Sequence, residues 1–221
     1  MKKKKAVVLL SGGMDSAVTL YMARQDYQCH ALIFDYGQKA VRETGCARKV
    51  AQMTGSPFYV LRISFPWKGS ALLDALVDVP AGAVSGGGNI PSTYVPARNI
   101  VFLSFGVSFA EAIDAEALFI GAHQLDFSNY PDCRTPFFES FQETVRQGTK
   151  KGVEGRGVRI VAPIIDRTKK EIIEAGLGLG VAFEHTWSCY KGGALPCGAC
   201  ESCMFRAAAF AEAGIPDPLL K

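Results

Sequence analysis

The sequence predicts an α/β protein: a Rossmann-like, doubly wound parallel sheet followed by a short cysteine-rich segment. Three observations predict it. Short apolar runs alternate with amphipathic stretches from the start of the chain, at the spacing of parallel βαβ units. The runs are continuous rather than alternating, as strands covered on both faces require. A glycine pair stands directly between the first run and the helix after it.

The elements follow in order. Residues 6–10 read as a buried strand, 16–24 as a helix, 31–34 as the second strand, 39–53 as the second helix and 58–63 as the third strand. Between Phe65 and Pro96 the pattern dissolves. Ser85-Gly86-Gly87-Gly88-Asn89, with Pro80, Pro91 and Pro96, reads as a long loop, and loops beyond about 12–15 residues are usually functional or mobile. Order returns at residues 97–115, where Ile100, Val101, Phe102, Leu103, Phe105, Val107 and Phe109 leave few polar faces. Such a helix is expected to be buried, in a core or partly at a subunit contact. Residues 117–120 read as a fourth strand, 136–149 as a helix, 158–161 as a short strand, and 169–177 and 203–213 as the last two helices.

Hydrophobic residues make up 48% of the 221 and charged residues 20%, which excludes a disordered chain. The net charge of +3 owes four positives to Lys2, Lys3, Lys4 and Lys5, and the rest of the chain has one more acid than base. A nucleic-acid surface is therefore not indicated. No apolar run approaches the ~18 residues of a membrane helix. None matches the apolar region of about 7–15 residues in a secretory signal. Seven cysteines, an odd number, then point to a reducing compartment, the cytoplasm.

The string Ser11-Gly12-Gly13-Met14-Asp15-Ser16 carries the first chemistry. Glycines let the backbone approach a ligand, several N–H groups then share one concavity, and the helix N-terminus favours an anion. Ser11 and Ser16 can donate to phosphate oxygens. Asp15 caps the helix or helps to hold a magnesium ion. A plain capped turn is the competing reading. No Gly-Lys-Ser/Thr closes the loop, so it is not a Walker A motif, and the dinucleotide spacing G-x-G-x-x-G is missing.

Cys189, Cys197, Cys200 and Cys203 fall within fifteen positions. Four thiolates at this spacing suit tetrahedral zinc in a closed, structural site. An iron–sulfur cluster is the alternative. A deaminase-type zinc site is excluded, because none of His30, His123 and His185 has a glutamate two residues on. The chain divides accordingly into an α/β domain, residues 1–185, and a zinc-binding segment with the closing helix, residues 186–221.

The loop string resembles the PP-loop, Ser-Gly-Gly-x-Asp-Ser, of the adenine-nucleotide alpha-hydrolase-like families. Further strings narrow this: Phe34-Asp35-Tyr36-Gly37-Gln38, Tyr94-Val95-Pro96-Ala97-Arg98-Asn99, Tyr130-Pro131-Asp132-Cys133-Arg134 and Thr186-Trp187-Ser188-Cys189-Tyr190. Together with the four cysteines they resemble the 7-cyano-7-deazaguanine synthase family of queuosine biosynthesis, from Val7 to about Arg206. The resemblance implies an ATP-dependent ligase that converts 7-carboxy-7-deazaguanine and ammonia to the nitrile, through adenylate-type activation and an amide intermediate. It implies ATP along Leu10, Ser11, Gly12, Gly13, Met14, Asp15, Ser16, Ala17, Val18, Thr19 and Leu20, with magnesium among the phosphates. Arg98 would meet phosphate or substrate carboxylate, and Lys169 the pyrophosphate. Asp126 or Asp132 would accept from the guanine-like edge while Phe127 or Tyr130 stacks on the ring, with Arg134 also at the substrate. His123 is expected to be a hydrogen-bonded structural residue. A homodimer is expected, through residues 97–115, with neither nucleic acid nor membrane as partner. The alternative is a tRNA-thiolating PP-loop enzyme, whose catalytic cysteines would be Cys46 and Cys133. A zinc-ribbon binding module leaves the glycine loop unexplained.

Overall fold

The structure, a computed structural model, describes residues 3–82, 90–124 and 130–220. The Ser85–Asn89 stretch of the expected long loop lies outside them, as do Asp126 and Phe127.

Five parallel strands form one sheet in the order β3-β2-β1-β4-β5: β1 Lys4–Leu9, β2 Tyr27–Asp35, β3 Phe58–Arg62, β4 Ala117–Ile120 and β5 Arg159–Val161. The helices are α1 Met14–Asp26, α2 Arg42–Met53, α3 Arg98–Ala112, α4 Thr135–Gly148, the single turn α5 Lys150–Val153, α6 Lys169–Gly178 and α7 Glu201–Glu212. None of the described helices is long and apolar enough to cross a membrane.

Side chains alternate across a strand, so each central strand feeds two cores. Ala6 and Val8 of β1, Ala31 and Ile33 of β2, and Phe119 of β4 pack with α1, α2, α6 and α7 through Val18, Val50, Ile172, Ile173 and Phe210. Val7 and Leu9, Leu32 and Phe34, and Leu118 and Ile120 face the other way, onto Leu103 and Val107 of α3 and Phe138 of α4. Both faces being covered is what makes the strand sequences continuously apolar.

One boundary expected from sequence is corrected. The second strand begins at Tyr27, not residue 31, because Lys4 and Lys5 of β1 pair with Tyr27 and Gln28 at the half-exposed end of the sheet. The core takes one side of α3: Leu103, Val107 and Ala110 enter it, whereas Ile100 and Phe105 are 43% and 40% exposed.

From β1 the chain builds outward through β2 and β3, then returns to the other side of β1 with β4. The order reverses between β1 and β4. In open α/β sheets that switch point, at the carboxyl ends of the strands, leaves a crevice that ligands use.

Candidate active site

A cleft with a cavity volume of about 250 Å³, open to solvent, lies at this switch point. Leu9 and Leu10 at the end of β1, and Ile120, Gly121, Ala122 and His123 at the end of β4, form its floor.

The loop after β1 is held open from within. The Ser16 hydroxyl accepts from the N–H groups of Ser11 and Gly12, each at 3.2 Å, and donates to the Gly13 carbonyl at 3.0 Å. Ser16 is thus the scaffold of the loop, and Ser11 is the serine that faces outward. Gly12 has φ +91°, and a Cβ there would stand 2.2 Å from the Glu43 carbonyl oxygen, so the loop and α2 can meet only at a glycine. Gly121 serves in the same way: a Cβ would lie 2.9 Å from the backbone of Asp15 and Ser16. Trp187 then pins the loop by donating its backbone N–H to the Gly12 carbonyl at 2.9 Å.

Asp15 does not cap α1; the N-cap is Gly13, without a side-chain bond. Its Oδ2 instead accepts from Lys169 Nζ at 2.8 Å, with His123 Nε2 3.7 Å away and in contact with the same ammonium. Asp15 Oδ1 is buried and without a hydrogen-bond partner among the described residues. Lys169 is delivered by a capping box at the start of α6, where Thr168 and Glu171 bond reciprocally.

The far end of the cleft is aromatic around one cation. Arg98, the first residue of α3, donates to Tyr36 Oη at 3.2 Å. It follows Ala97, which takes the left-handed φ of 54°. Phe102, Tyr130 and Tyr190 line the same end. Two acids absent from the sequence expectations line the cleft as well, Glu43 and Glu201. Burial pushes Glu43 up to about 7, against the pull of Arg98. Burial likewise pushes the Cys133 thiol up to about 11.

Of the expected residues, Leu10, Ser11, Gly13, Met14, Asp15, Ser16, Arg98, Tyr130 and Lys169 line this one cleft. Ala17, Val18 and Leu20 turn into the core and Thr19 is buried, so they reach no ligand through their side chains. Asp132 is buried and spent elsewhere: Oδ2 accepts from the Asn99 backbone at the start of α3, at 3.0 Å. Arg134 does not line the cleft; its carbonyl starts α4. Cys133 lines it, whereas Cys46 packs against the metal lobe.

That lobe covers one side of the cleft. The sulfurs of Cys189, Cys197, Cys200 and Cys203 lie within 4.8 Å of one another, mostly buried, a donor set that fits tetrahedral zinc. Burial opposes ionisation of Cys197, but the N–H groups of Ala199 and Cys200 hold its thiol down to about 6, ready to ligate. Behind it Arg206, 4% exposed in its side chain, pairs with Asp217 at 2.7 Å and bonds Thr186 Oγ1 at 2.8 Å, anchoring the Trp187 strap.

The family model described as "Queuosine biosynthesis protein QueC" matches residues 5–214. The chain belongs to the QueC family. Curated QueC relatives bear the name 7-cyano-7-deazaguanine synthase. One from Trichodesmium erythraeum is 48% identical, covering 98% of this chain and 100% of its own. One from a Nostoc species is 50% identical over 97% and 96%, and one from Clostridium kluyveri 47% over 98% and 97%. Among solved structures the chain is similar to an NMN synthetase from Francisella tularensis, at a TM-score of 0.48 and 13% identity over 97% of this chain and 79% of that one.

Proposed function

We propose that this QueC-family chain is an ATP-dependent carbon–nitrogen ligase that converts 7-carboxy-7-deazaguanine and ammonia to 7-cyano-7-deazaguanine. The full-length identity with relatives of that name carries the reading. The cleft supports it. It gathers the glycine loop, Lys169, Arg98 and the rings of Phe102, Tyr130 and Tyr190 in one crevice, as a phosphate-bearing ligand beside a ring system requires.

A carboxylate is a poor electrophile, so one oxygen must become a leaving group before nitrogen can enter. In this reading the outward-facing Ser11 hydroxyl and the N-terminus of α1 hold the nucleotide phosphates. Lys169 offsets the charge that develops as the substrate oxygen attacks phosphorus. Arg98 turns the carboxylate towards that phosphorus. Ammonia then displaces the activated oxygen to give the amide, and a second activation at the same loop removes the amide oxygen as the nitrile forms. The orphaned Asp15 Oδ1 fits a magnesium ion, which would neutralise phosphate charge when bound. Zinc at the four cysteines is structural: the set is closed and presents no open position.

The tRNA-thiolating alternative is not favoured. Burial keeps Cys133 protonated at neutral pH, and sulfur chemistry needs the thiolate. We assign the enzyme to the cytoplasm on its free thiols. We also propose a homodimer through the exposed apolar face of α3. The functional reading is tested by incubating the purified, zinc-loaded protein with 7-carboxy-7-deazaguanine, ammonium, magnesium and ATP. Nucleotide-dependent nitrile supports it; sulfur transfer to tRNA without nitrile overturns it.

A further inference from the structure

A further acid lines the cleft from the cysteine-rich lobe, and the inference drawn from it rests on the functional reading above and deepens it. Glu201 stands among the metal-binding cysteines, yet it lines the cleft and is only 4% exposed. Its place is fixed from both sides. Cys200, fully buried, is the N-cap of α7 directly before Glu201, and Cys203 stands two residues after Glu201; both belong to the four-sulfur cluster. Ala81 and Gly82 clamp the same point through backbone bridges to Cys200. Arg98, Tyr130 and Tyr190 line the same cleft, so the acid shares it with a cation and two aromatic rings.

A carboxylate offers about four acceptor positions and no donor, so it recognises N–H groups in a ligand. The two ring systems of the reaction differ there. Adenine presents one amine beside a ring acceptor, which would repel a carboxylate. The 2-amino-6-oxo edge of a deazaguanine presents two adjacent donors, N1–H and the exocyclic amine, matched to a bidentate carboxylate. Asp132 is committed to the start of α3 and does not line the cleft. We infer that Glu201 accepts from both N–H groups of the deazaguanine edge, with Arg98 holding the 7-carboxylate at the opposite side of the ring system. The metal lobe thereby positions the specificity residue.

The experiment compares 7-carboxy-7-deazaguanine with its analogue lacking the 2-amino group, in the wild type and in Glu201→Gln, with zinc content measured for each. The wild type should prefer the amino substrate by roughly 100-fold or more in kcat/KM. Glu201→Gln should raise KM for that substrate at least tenfold, leave KM for ATP and the zinc content unchanged, and shrink the preference to a few-fold. Glu201→Asp, which keeps the charge but withdraws it by one methylene, should give an intermediate preference and serves if the glutamine variant loses zinc. A wild type indifferent to the 2-amino group overturns the inference, as does a full preference retained in the variants. Failure of the wild type to turn over 7-carboxy-7-deazaguanine at all contradicts the functional reading instead.

Discussion

Glu43 shows how a single side chain takes its character from the fold. On α2 its backbone carbonyl meets Gly12, and its carboxyl is enclosed beside the cleft, where desolvation raises it to about 7 from an ordinary value near 4.5. The folded protein therefore binds a proton that the unfolded chain has already released between those values. The associated stability is present below about pH 4.5 and is lost as pH rises through 7, on the order of 3 kcal/mol. Glu43→Gln should flatten that decline, read by denaturant unfolding at a series of pH values from 4.5 to 7.5. Equal slopes in variant and wild type would mean that Glu43 ionises freely in the fold. Neither Glu43 nor Glu201 is legible in the sequence. Each resembles a solvated helix acid, and only the packing of loop, α2 and metal lobe around the switch point encloses them. Asp132 errs in the other direction: an acid in a distinctive string reads as a ligand, but the sequence does not say that a helix start has already claimed it.

At the scale of elements, the metal lobe binds the cleft together. The strap 186–189 runs from Arg206 and Asp217 to the Gly12 carbonyl, then into the first cysteine of the cluster. Losing zinc should loosen the nucleotide loop as well as the tail. Cys200→Ser is expected to bind no zinc by metal analysis and to melt at least about 10 °C lower than the wild type, since roughly 1 kcal/mol moves a domain of this size by 2–4 °C. It should also lose ATP-dependent turnover. A metal-free variant with native melting and activity would refute a structural zinc site. The cluster was legible because cysteine spacing is a local property. The loop was legible for the same reason: a buried strand, two glycines and a helix start lie within sixteen residues. The early start of β2 was not, because Tyr27–His30 owe their pairing to the lysine end of β1 rather than to their own apolar content.

For the whole molecule, the order β3-β2-β1-β4-β5 decides where chemistry happens, since it opens the crevice that the glycine loop, Lys169 and Arg98 all enter. It also leaves the Ile100 and Phe105 face of α3 uncovered. Sedimentation should find twice the chain mass for the wild type and a single chain mass for Phe105→Glu; a monomeric wild type would remove α3 as a subunit contact. Periodicity supplies the layers of the fold from sequence, but it does not say which side of α3 enters the core, because an all-apolar helix looks alike in a core and at an unpaired face. The central claim is that this crevice makes an inert carboxylate reactive by passing its oxygens to phosphorus. The most direct measurement uses 7-carboxy-7-deazaguanine labelled with oxygen-18 in both carboxylate oxygens, turned over with unlabelled ATP in unlabelled water. The account predicts that both labels appear in the phosphoryl groups of the nucleotide or phosphate products; nitrile formed while the label passes to water would contradict it.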